Sequence, residues 1–218
     1  MAALLLDLDG TLVDSEPLHR ERYRTWFALR GWPYDDDVAA RFTGRRADDV
    51  FRTVDGPWRD EDPQGLLEEI VGLEPHRRLP GPVAGAGEAI AWARAAGIPL
   101  ALVTSATTRW AGRVLEQFGG PGLFDATVTR DDIATGKPDP ACYLLACERL
   151  GVAAGAALAC EDAPDGVRSA AAARVGVVVG VTTSFLPEQL LEAGATTTVP
   201  DLTSLPALLT PRPPTGRE

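Results

Sequence analysis

Two carboxylates, those of Asp7 and Asp9, stand two residues apart directly after a short apolar run near the N-terminus. The apolar run 3–6 predicts a buried strand. Alternate residues of a strand point to the same side, so both carboxylates would crowd one spot at the strand's carboxyl end, where open α/β sheets bind ligands. Two carboxylates that close cost free energy unless a cation or a proton compensates them. The pair, followed by Gly10 and Thr11, therefore predicts a functional site.

Polar side chains also follow two later predicted strands. Each group alone has an ordinary explanation, because hydroxyls and carboxylates are common where helices begin. Since the carboxyl ends of parallel strands share one edge of a sheet, we expect all of them to lie near Asp7. Hydroxyls and free backbone N–H groups at such a turn suit a phosphate oxygen. These residues are Thr104 and Ser105 after the predicted strand 98–103, and Glu161 and Asp162 after the predicted strand 156–160.

Lys137 stands out because it is the only lysine, against 20 arginines, among the 21 basic residues of the chain. It lies between Gly136 and Pro138, and a second proline, Pro140, stiffens the same loop before a predicted helix. A lysine ammonium is a compact point charge that a planar guanidinium does not replace. We therefore predict that this position requires a lysine, close to the carboxylates.

The charge of the chain limits its partners. Its 218 residues carry a formal net charge of −10, which argues against the basic patch that nucleic-acid binding needs. An anionic substrate would have to be attracted by a local positive pocket or by a bound metal. We expect a small phosphorylated metabolite as the partner, no nucleic acid, no membrane, and a monomer or weak dimer.

The cysteines and the N-terminus indicate the compartment. No segment resembles a signal peptide or a membrane span, because Asp7 interrupts the first apolar run. Cys142, Cys147 and Cys160 are odd in number and lack the spacing of a metal site. They predict buried, reduced thiols in a cytoplasmic protein.

The chain divides into a helical block and an alternating block. Ser15 is a plausible N-cap for a first helix that stops at Gly31. From residue 80 onward, short apolar strands alternate with helices, which predicts an α/β fold with a doubly wound parallel sheet. The helical block would be a cap inserted over the carboxyl edge of that sheet, and the tail from Thr210 would be frayed. We predict a core domain of residues 1–14 and 80–218 and a helical cap of residues 15–79. Within the cap, further helices are predicted over 37–42, 47–54 and 64–71. The hinges between cap and core are predicted near Ser15 and Leu79.

Taken together, the motifs resemble those of the haloacid dehalogenase superfamily, in the branch with a helical cap inserted after the first strand. The first motif is matched by the segment 7–14, the second by Thr104, the third by Gly136-Lys137-Pro138 and the fourth by Glu161-Asp162. The resemblance is ordered and covers most of the chain. It implies a Rossmann-like core with an α-helical cap.

The resemblance also implies roles for the matched residues. Asp7 would be the nucleophile that forms an aspartyl-phosphate, and Asp9 would be the general acid and base. Thr104 and Lys137 would hold the transferring phosphoryl oxygens. The phosphate and substrate site would comprise Gly10, Thr104, Ser105, Lys137, Gly44, Arg45 and His19.

Mg²⁺ is the cofactor that the resemblance implies. It would be held by the Asp7 carboxylate, the Asp9 backbone carbonyl and Asp162, with Glu161 in support directly or through water. The metal and Lys137 would together compensate the crowded carboxylates.

Three functions stay open at this point. Asp9 argues against a dehalogenase, because that reaction has no leaving oxygen to protonate, and hydrolysis of a sugar or polyol phosphate is the leading hypothesis. A phosphomutase of the β-phosphoglucomutase type shares all four motifs, and a non-catalytic binding protein is the third hypothesis. A mutase needs a second phosphate clamp, which Arg45 and Arg46 would form unless they bind a sugar hydroxyl or are merely solvated. His19 either contacts substrate, steadies Asp9 or packs.

Two residues depart from the family pattern. Arg174 stands where a glycine commonly ends the helix of the fourth motif, and Ala163 replaces a serine. If the backbone of Arg174 has a positive φ, the arginine costs roughly 1 kcal/mol relative to glycine. Gly176 would otherwise take over the turn.

Overall fold

A six-stranded parallel sheet lies at the centre of the protein. The computed structural model describes residues 1–73 and 78–209. The strands of the sheet are β1 Ala3–Leu6, β4 Leu100–Val103, β5 Ala126–Val128, β6 Ala157–Glu161, β7 Val177–Val181 and β8 Thr197–Val199. Two further strands, β2 Val13–Asp14 and β3 Gly81–Pro82, form a separate pair. The order in the sheet is β5-β4-β1-β6-β7-β8, and all neighbours are parallel. The predicted parallel α/β fold is confirmed.

Helices cover both faces of this sheet and also form the inserted block. They are α1 Glu16–Arg30, α2 Asp36–Phe42, α3 Ala47–Thr53, α4 Pro63–Gly72, α5 Ala86–Ala95, α6 Thr108–Leu115, α7 Ala141–Leu150, α8 Pro164–Ala172, α9 Pro187–Glu192 and α10 Leu205–Leu209. On one face α5, α6 and α10 pack against the sheet, and on the other α7, α8 and α9 do so. This is the doubly wound arrangement.

The first strand shows why the sheet is buried on both faces. All its residues are fully buried. Leu4 and Leu6 belong to the apolar core on one face, whereas Ala3 and Leu5 belong to the core on the other. Because alternate residues of a strand point to opposite faces, an uninterrupted apolar strand requires a helical layer on each side. The N-terminal apolar run therefore specifies a central strand.

The inserted helices α1–α4 have an apolar core of their own, built largely from aromatic side chains. Trp26 and Trp58 are 1% and 0% exposed, and Trp32 packs against them partly buried. The rings of Phe27 and Trp58 meet edge to face at 5.9 Å between centroids, a favoured aromatic geometry. The tryptophans therefore fill the core of the insertion.

A short antiparallel ribbon joins the insertion to the sheet. β2 leads out to α1 and β3 leads back, with Val13 opposite Pro82 and Asp14 opposite Gly81. Both crossings therefore lie side by side, near the positions that we predicted as hinges. The division into a core of residues 1–14 and 80–218 and a cap of residues 15–79 stays a prediction.

Local structure corrects one expectation and decides another. Ser15 precedes α1, but its backbone is helical (φ −92°, ψ −11°) and its side chain makes no capping bond. The expectation of a serine cap was wrong, because a capping residue needs an extended backbone to reach the first amides.

Arg174 has φ +58°, so the arginine itself occupies the left-handed backbone conformation that follows α8. Gly176 is required for a different reason, since a Cβ there would lie 2.2 Å from the Gly155 carbonyl oxygen.

The predicted frayed tail from Thr210 lies outside the described residues. Asp35 caps the start of α2, where its side chain accepts a hydrogen bond from the Val38 amide at 2.8 Å. The three cysteines are free and buried, also as predicted.

Candidate active site

Four predicted site residues meet at the carboxyl edge of the sheet. Asp7 follows β1, Thr104 follows β4, Glu161 ends β6 and Asp162 comes next. Because β1 pairs with β4 on one side and with β6 on the other, the three strand ends are neighbours. The pairing continues into the site, where the Asp7 amide donates to the Cys160 carbonyl at 3.1 Å. The sheet order alone therefore assembles these groups.

Lys137 completes this corner from the loop before α7. Its Nζ donates to Asp7 Oδ1 at 2.6 Å, to the Val103 carbonyl at 3.1 Å and to Glu161 Oε1 at 2.5 Å. The Tyr143 hydroxyl donates to the same oxygen of Glu161 at 2.5 Å. All three ammonium protons are therefore matched to protein acceptors. In this arrangement Lys137 orients Asp7 and Glu161, and its contact with a phosphoryl oxygen stays a prediction.

Three buried carboxylates share this corner with one ammonium. Oxygens of Asp7, Glu161 and Asp162 lie within 4.8 Å of one another. Burial raises the pKa of Asp7 well above its ordinary value, although Lys137 opposes the shift. Burial, together with the charge of Glu161, raises the pKa of Asp162 to about 8. When all three carboxylates are ionised, Lys137 compensates only one of the three charges, and carboxylate oxygens suit a hard divalent cation. The residues fit such a metal.

The pKa of Lys137 moves the other way. Burial by itself lowers the pKa of this ammonium, but the charges of Asp7 and Glu161 outweigh burial and raise it above the ordinary value. Lys137 is 7% exposed. It therefore stays charged at neutral pH, and supplies the local positive charge that the acidic composition requires.

Asp9 stands apart from the acidic cluster and has donors of its own. Its Oδ1 accepts from the Trp110 indole N–H at 3.1 Å and lies 3.3 Å from His19 Nε2. Burial raises the pKa of Asp9, but the neighbouring His19, Ser15 and Trp110 outweigh burial and hold it below the ordinary value. The His19 contact fits one of the roles that the sequence left open for this residue, namely to steady Asp9, and that role stays a prediction.

Thr104, Ser105 and Gly10 line the cavity beside these groups. The Thr104 hydroxyl accepts a hydrogen bond from the Ala106 amide at 3.0 Å, which leaves its own proton free to donate to a ligand. Gly10 has φ +86°, and a Cβ there would lie 1.9 Å from Asp162 Oδ2. Only glycine therefore fits at that position.

The insertion contributes a loop that packs onto the sheet domain. A Cβ on Gly44 would lie 2.3 Å from the Ala163 Cβ. Arg45 Nε lies 3.3 Å from the Asp165 carboxylate, and Arg46 Nη2 donates to the Arg130 carbonyl at 3.2 Å. Both arginines are thus used in the contact between insertion and sheet domain.

One cavity of about 160 Å³ collects every residue that we predicted for the site. It is bordered by Asp7, Asp9, Gly10, His19, Gly44, Arg45, Arg46, Thr104, Ser105, Lys137, Glu161 and Asp162. Sequence reasoning missed Trp110, Tyr143 and Ser184. Ser184 follows β7, so the rule that polar residues at strand ends form the site would have found it. Trp110 and Tyr143 lie within helices, where no sequence signal distinguishes them from core residues.

Comparison with protein families matches residues 1–174 to a haloacid dehalogenase-like hydrolase. The chain belongs to the haloacid dehalogenase-like hydrolase family. Validoxylamine A 7′-phosphate phosphatase of Streptomyces hygroscopicus subsp. limoneus is 37% identical over 192 residues, which cover 87% of this chain and 89% of the relative. A phosphorylated carbohydrates phosphatase of Thermotoga maritima is 34% identical over 199 residues, with 89% and 92% covered.

A solved structure supports the same assignment. CbbY of Rhodobacter sphaeroides, crystallised as a variant in complex with xylulose-(1,5)bisphosphate, has a TM-score of 0.77 to this chain at 26% identity, over 94% of this chain and 96% of that one. Haloacid dehalogenase-like hydrolases generally use a divalent metal, in agreement with the buried acidic cluster. Within residues 1–73 and 78–209, no helix combines the length and apolar composition that a membrane crossing needs.

Proposed function

We propose that this haloacid dehalogenase-like hydrolase is a Mg²⁺-dependent phosphatase that releases phosphate from a sugar or polyol phosphate through a phosphorylated Asp7. The proposal is carried by one observation: Asp7 and Asp9 border the same cavity but have different surroundings. Asp7 accepts a hydrogen bond from Lys137 beside the acidic cluster, whereas Asp9 accepts one from Trp110. The phosphatase names of two relatives support the same reaction class.

In the first half of the reaction, the Asp7 carboxylate attacks phosphorus, and the bond between phosphorus and the leaving oxygen breaks. Asp9 gives its proton to that oxygen, so the product leaves as an alcohol. In the second half, Asp9 takes a proton from a water, which attacks the phosphorus of the aspartyl-phosphate. The bond to Asp7 then breaks, and inorganic phosphate is released.

Mg²⁺ would be held by the Asp7 carboxylate, Asp162 and the Asp9 backbone carbonyl, with Glu161 in support. When bound, it draws negative charge from the phosphoryl oxygens and so lowers the barrier to attack. The protein itself contributes the Thr104 hydroxyl proton, which is free to donate to the same oxygens.

The arginines of the cavity are the groups that a second phosphate would need. A phosphomutase must hold a bisphosphate, and CbbY was solved with one. Each guanidinium that borders the cavity here already has an acceptor in the protein. The pairs are Arg20 with Glu16, Arg22 with His19, Arg45 with Asp165, Arg46 with the Arg130 carbonyl, and Arg130 with Asp48. Each guanidinium has further N–H donors besides the one paired, and the buried Arg46 Nε has no acceptor among the described residues, so these pairs do not exclude a second phosphate and the mutase stays the second candidate.

A panel of about fifty phosphate esters, scored by released phosphate with Mg²⁺, tests the proposal. We expect sugar and polyol monophosphates to be hydrolysed fastest. Asp7→Asn keeps the shape of the side chain but removes the nucleophile, so it should retain less than about 1% of the activity. Larger residual activity would exclude the covalent route through Asp7. Conversion of β-glucose 1-phosphate to glucose 6-phosphate without free phosphate, in the presence of a bisphosphate primer, would establish the mutase instead.

The same reasoning extends to the setting of the enzyme. We propose a cytoplasmic protein, because its three cysteines are free and buried. Its partner would be a small phosphorylated metabolite and not a nucleic acid, and it would act as a monomer or weak dimer. Size-exclusion chromatography with light scattering checks the last point.

A further inference from the structure

One oxygen of Asp9 is held by two donors that come from different parts of the fold. Trp110 lies on α6 of the sheet domain, and His19 lies on α1 of the insertion. Both bond Oδ1, at 3.1 and 3.3 Å. The second carboxylate oxygen, Oδ2, is bonded by neither of them. Oδ1 of Asp9 is thus restrained, whereas Oδ2 is left to other partners. The side chain of Asp9 is 24% exposed.

The role of His19 in this arrangement follows from its other neighbour. Arg22 Nη2 lies 2.9 Å from His19 Nδ1. A guanidinium can only donate, so Nδ1 must be the acceptor and the ring proton must sit on Nε2. His19 therefore donates from Nε2 to Asp9 Oδ1, and both contacts of that oxygen come from N–H donors.

Trp110 is suited to restrain a carboxylate without entering the reaction. Its indole has one N–H, which donates to Asp9, and no acceptor. The ring packs partly buried against the apolar core that α5 and α6 share. Its centre lies 6.2 Å from that of His19. A rigid ring anchored in the core is thus aimed at a carboxylate on the cavity wall.

We propose that Trp110 is a positioning residue, which with His19 fixes Asp9 so that Oδ2 is the oxygen that exchanges protons with the leaving alcohol and the attacking water. The inference rests on the phosphatase reaction proposed above. It implies that loss of the indole N–H impairs proton transfer, whereas binding of the phosphoryl group, which depends on other residues, is unaffected.

The leaving group distinguishes this role from a structural one. A sugar alkoxide must be protonated as it departs, whereas p-nitrophenolate departs without a proton. Trp110→Phe keeps the aromatic packing and removes only the donor. We expect the first-turnover rate of phosphorylation, measured by rapid quench, to fall about tenfold with a sugar phosphate and less than about twofold with p-nitrophenyl phosphate. KM should change less than about twofold.

The sugar phosphate is whichever of glucose 6-phosphate, fructose 1-phosphate and sorbitol 6-phosphate the wild type hydrolyses fastest. Trp92→Phe is the matched control, because Trp92 is also partly buried against the same apolar core but does not border the cavity. It should leave both rates unchanged. In the Asp9→Asn background, Trp110→Phe should have no further effect on the sugar phosphate.

A second measurement does not depend on activity. The chain has five tryptophans, whose indole N–H signals are separable by ¹H–¹⁵N NMR, and Trp110→Phe assigns the signal of Trp110. In Asp9→Ala this signal should move upfield as the hydrogen bond is lost, while that of Trp92 stays in place.

Each outcome supports or overturns the inference. Equal slowing of both esters by Trp110→Phe, or an indole signal insensitive to Asp9→Ala, would overturn it. If the wild type released no phosphate from any ester of the panel described above, the proposed function would fail, and the NMR result would still decide whether Trp110 restrains Asp9.

Discussion

The metal-free protein should lose stability as the pH rises through neutrality, and Mg²⁺ should remove that loss. Burial, with the charge of Glu161, raises the pKa of Asp162 from 3.8 to about 8. Between these values the folded protein holds a proton on Asp162 that the unfolded chain has released. Stability is therefore fully present below the ordinary pKa and falls as the pH rises towards the raised one.

The size of this loss follows from linkage. Each pH unit within the window costs about 1.4 kcal/mol for one such group. From about pH 6 to about pH 7.5, Asp162 alone therefore predicts a loss of roughly 2 kcal/mol in the free energy of unfolding. The raised pKa of Asp7 adds to the loss in the same direction. A divalent cation binds the ionised carboxylates, so its presence should flatten the pH dependence.

Urea unfolding followed by tryptophan fluorescence, at these two pH values and in EDTA or excess Mg²⁺, measures the effect. Asp162→Asn is the matched control, because it keeps the side-chain shape but cannot titrate, and its metal-free slope should be smaller by the amount assigned to Asp162. A metal-free wild type whose stability is constant or rises over this range would refute the reasoning. So would an Asp162→Asn slope as steep as that of the wild type.

Two further substitutions test individual features of the chain. Lys137→Arg keeps the charge but loses the compact ammonium that reaches three acceptors. We expect kcat on the fastest phosphate ester to fall by about a hundredfold, the usual effect of removing one positioned electrostatic group from an active site. A rate near that of the wild type would mean that the single lysine has no special role. Arg174→Gly should raise the free energy of unfolding by roughly 1 kcal/mol, because glycine adopts the positive φ of this position without strain. Arg174→Ala, which removes the side chain but keeps the strain, should bring no such gain in the same urea titration.

The catalytic corner could be predicted from sequence because its residues sit at fixed places relative to strands. An apolar run that ends in Asp7 and another that ends in Glu161 place both carboxylates on one sheet edge, whatever the rest of the fold does. Lys137 was found through composition, since it is an exception among arginines. These signals are local and predict the shared sheet edge, whereas the closeness of the groups along that edge depends on β1 lying between β4 and β6.

The groups around Asp9 could not be predicted in the same way. Trp110 is separated from Asp9 by 101 positions in the chain, and its neighbours in sequence mark it as a core residue of a helix. Edge elements were missed for a related reason. β8 has three residues, two of them only partly buried, and the ribbon of β2 and β3 has two in each strand, so their extended shape is set by tertiary pairing and not by local pattern.

The ribbon gives the chain a modular layout. Because Asp14 lies opposite Gly81 across a pair of strands, the whole helical insertion leaves and returns through points separated by one strand spacing, about 5 Å. A gap of that width is what a tight two-residue turn closes. The insertion can therefore be lengthened, shortened or exchanged in evolution without moving a single strand of the sheet. The pocket wall can thus diverge in sequence, and with it the choice of substrate, while the residues that carry the reaction stay in place.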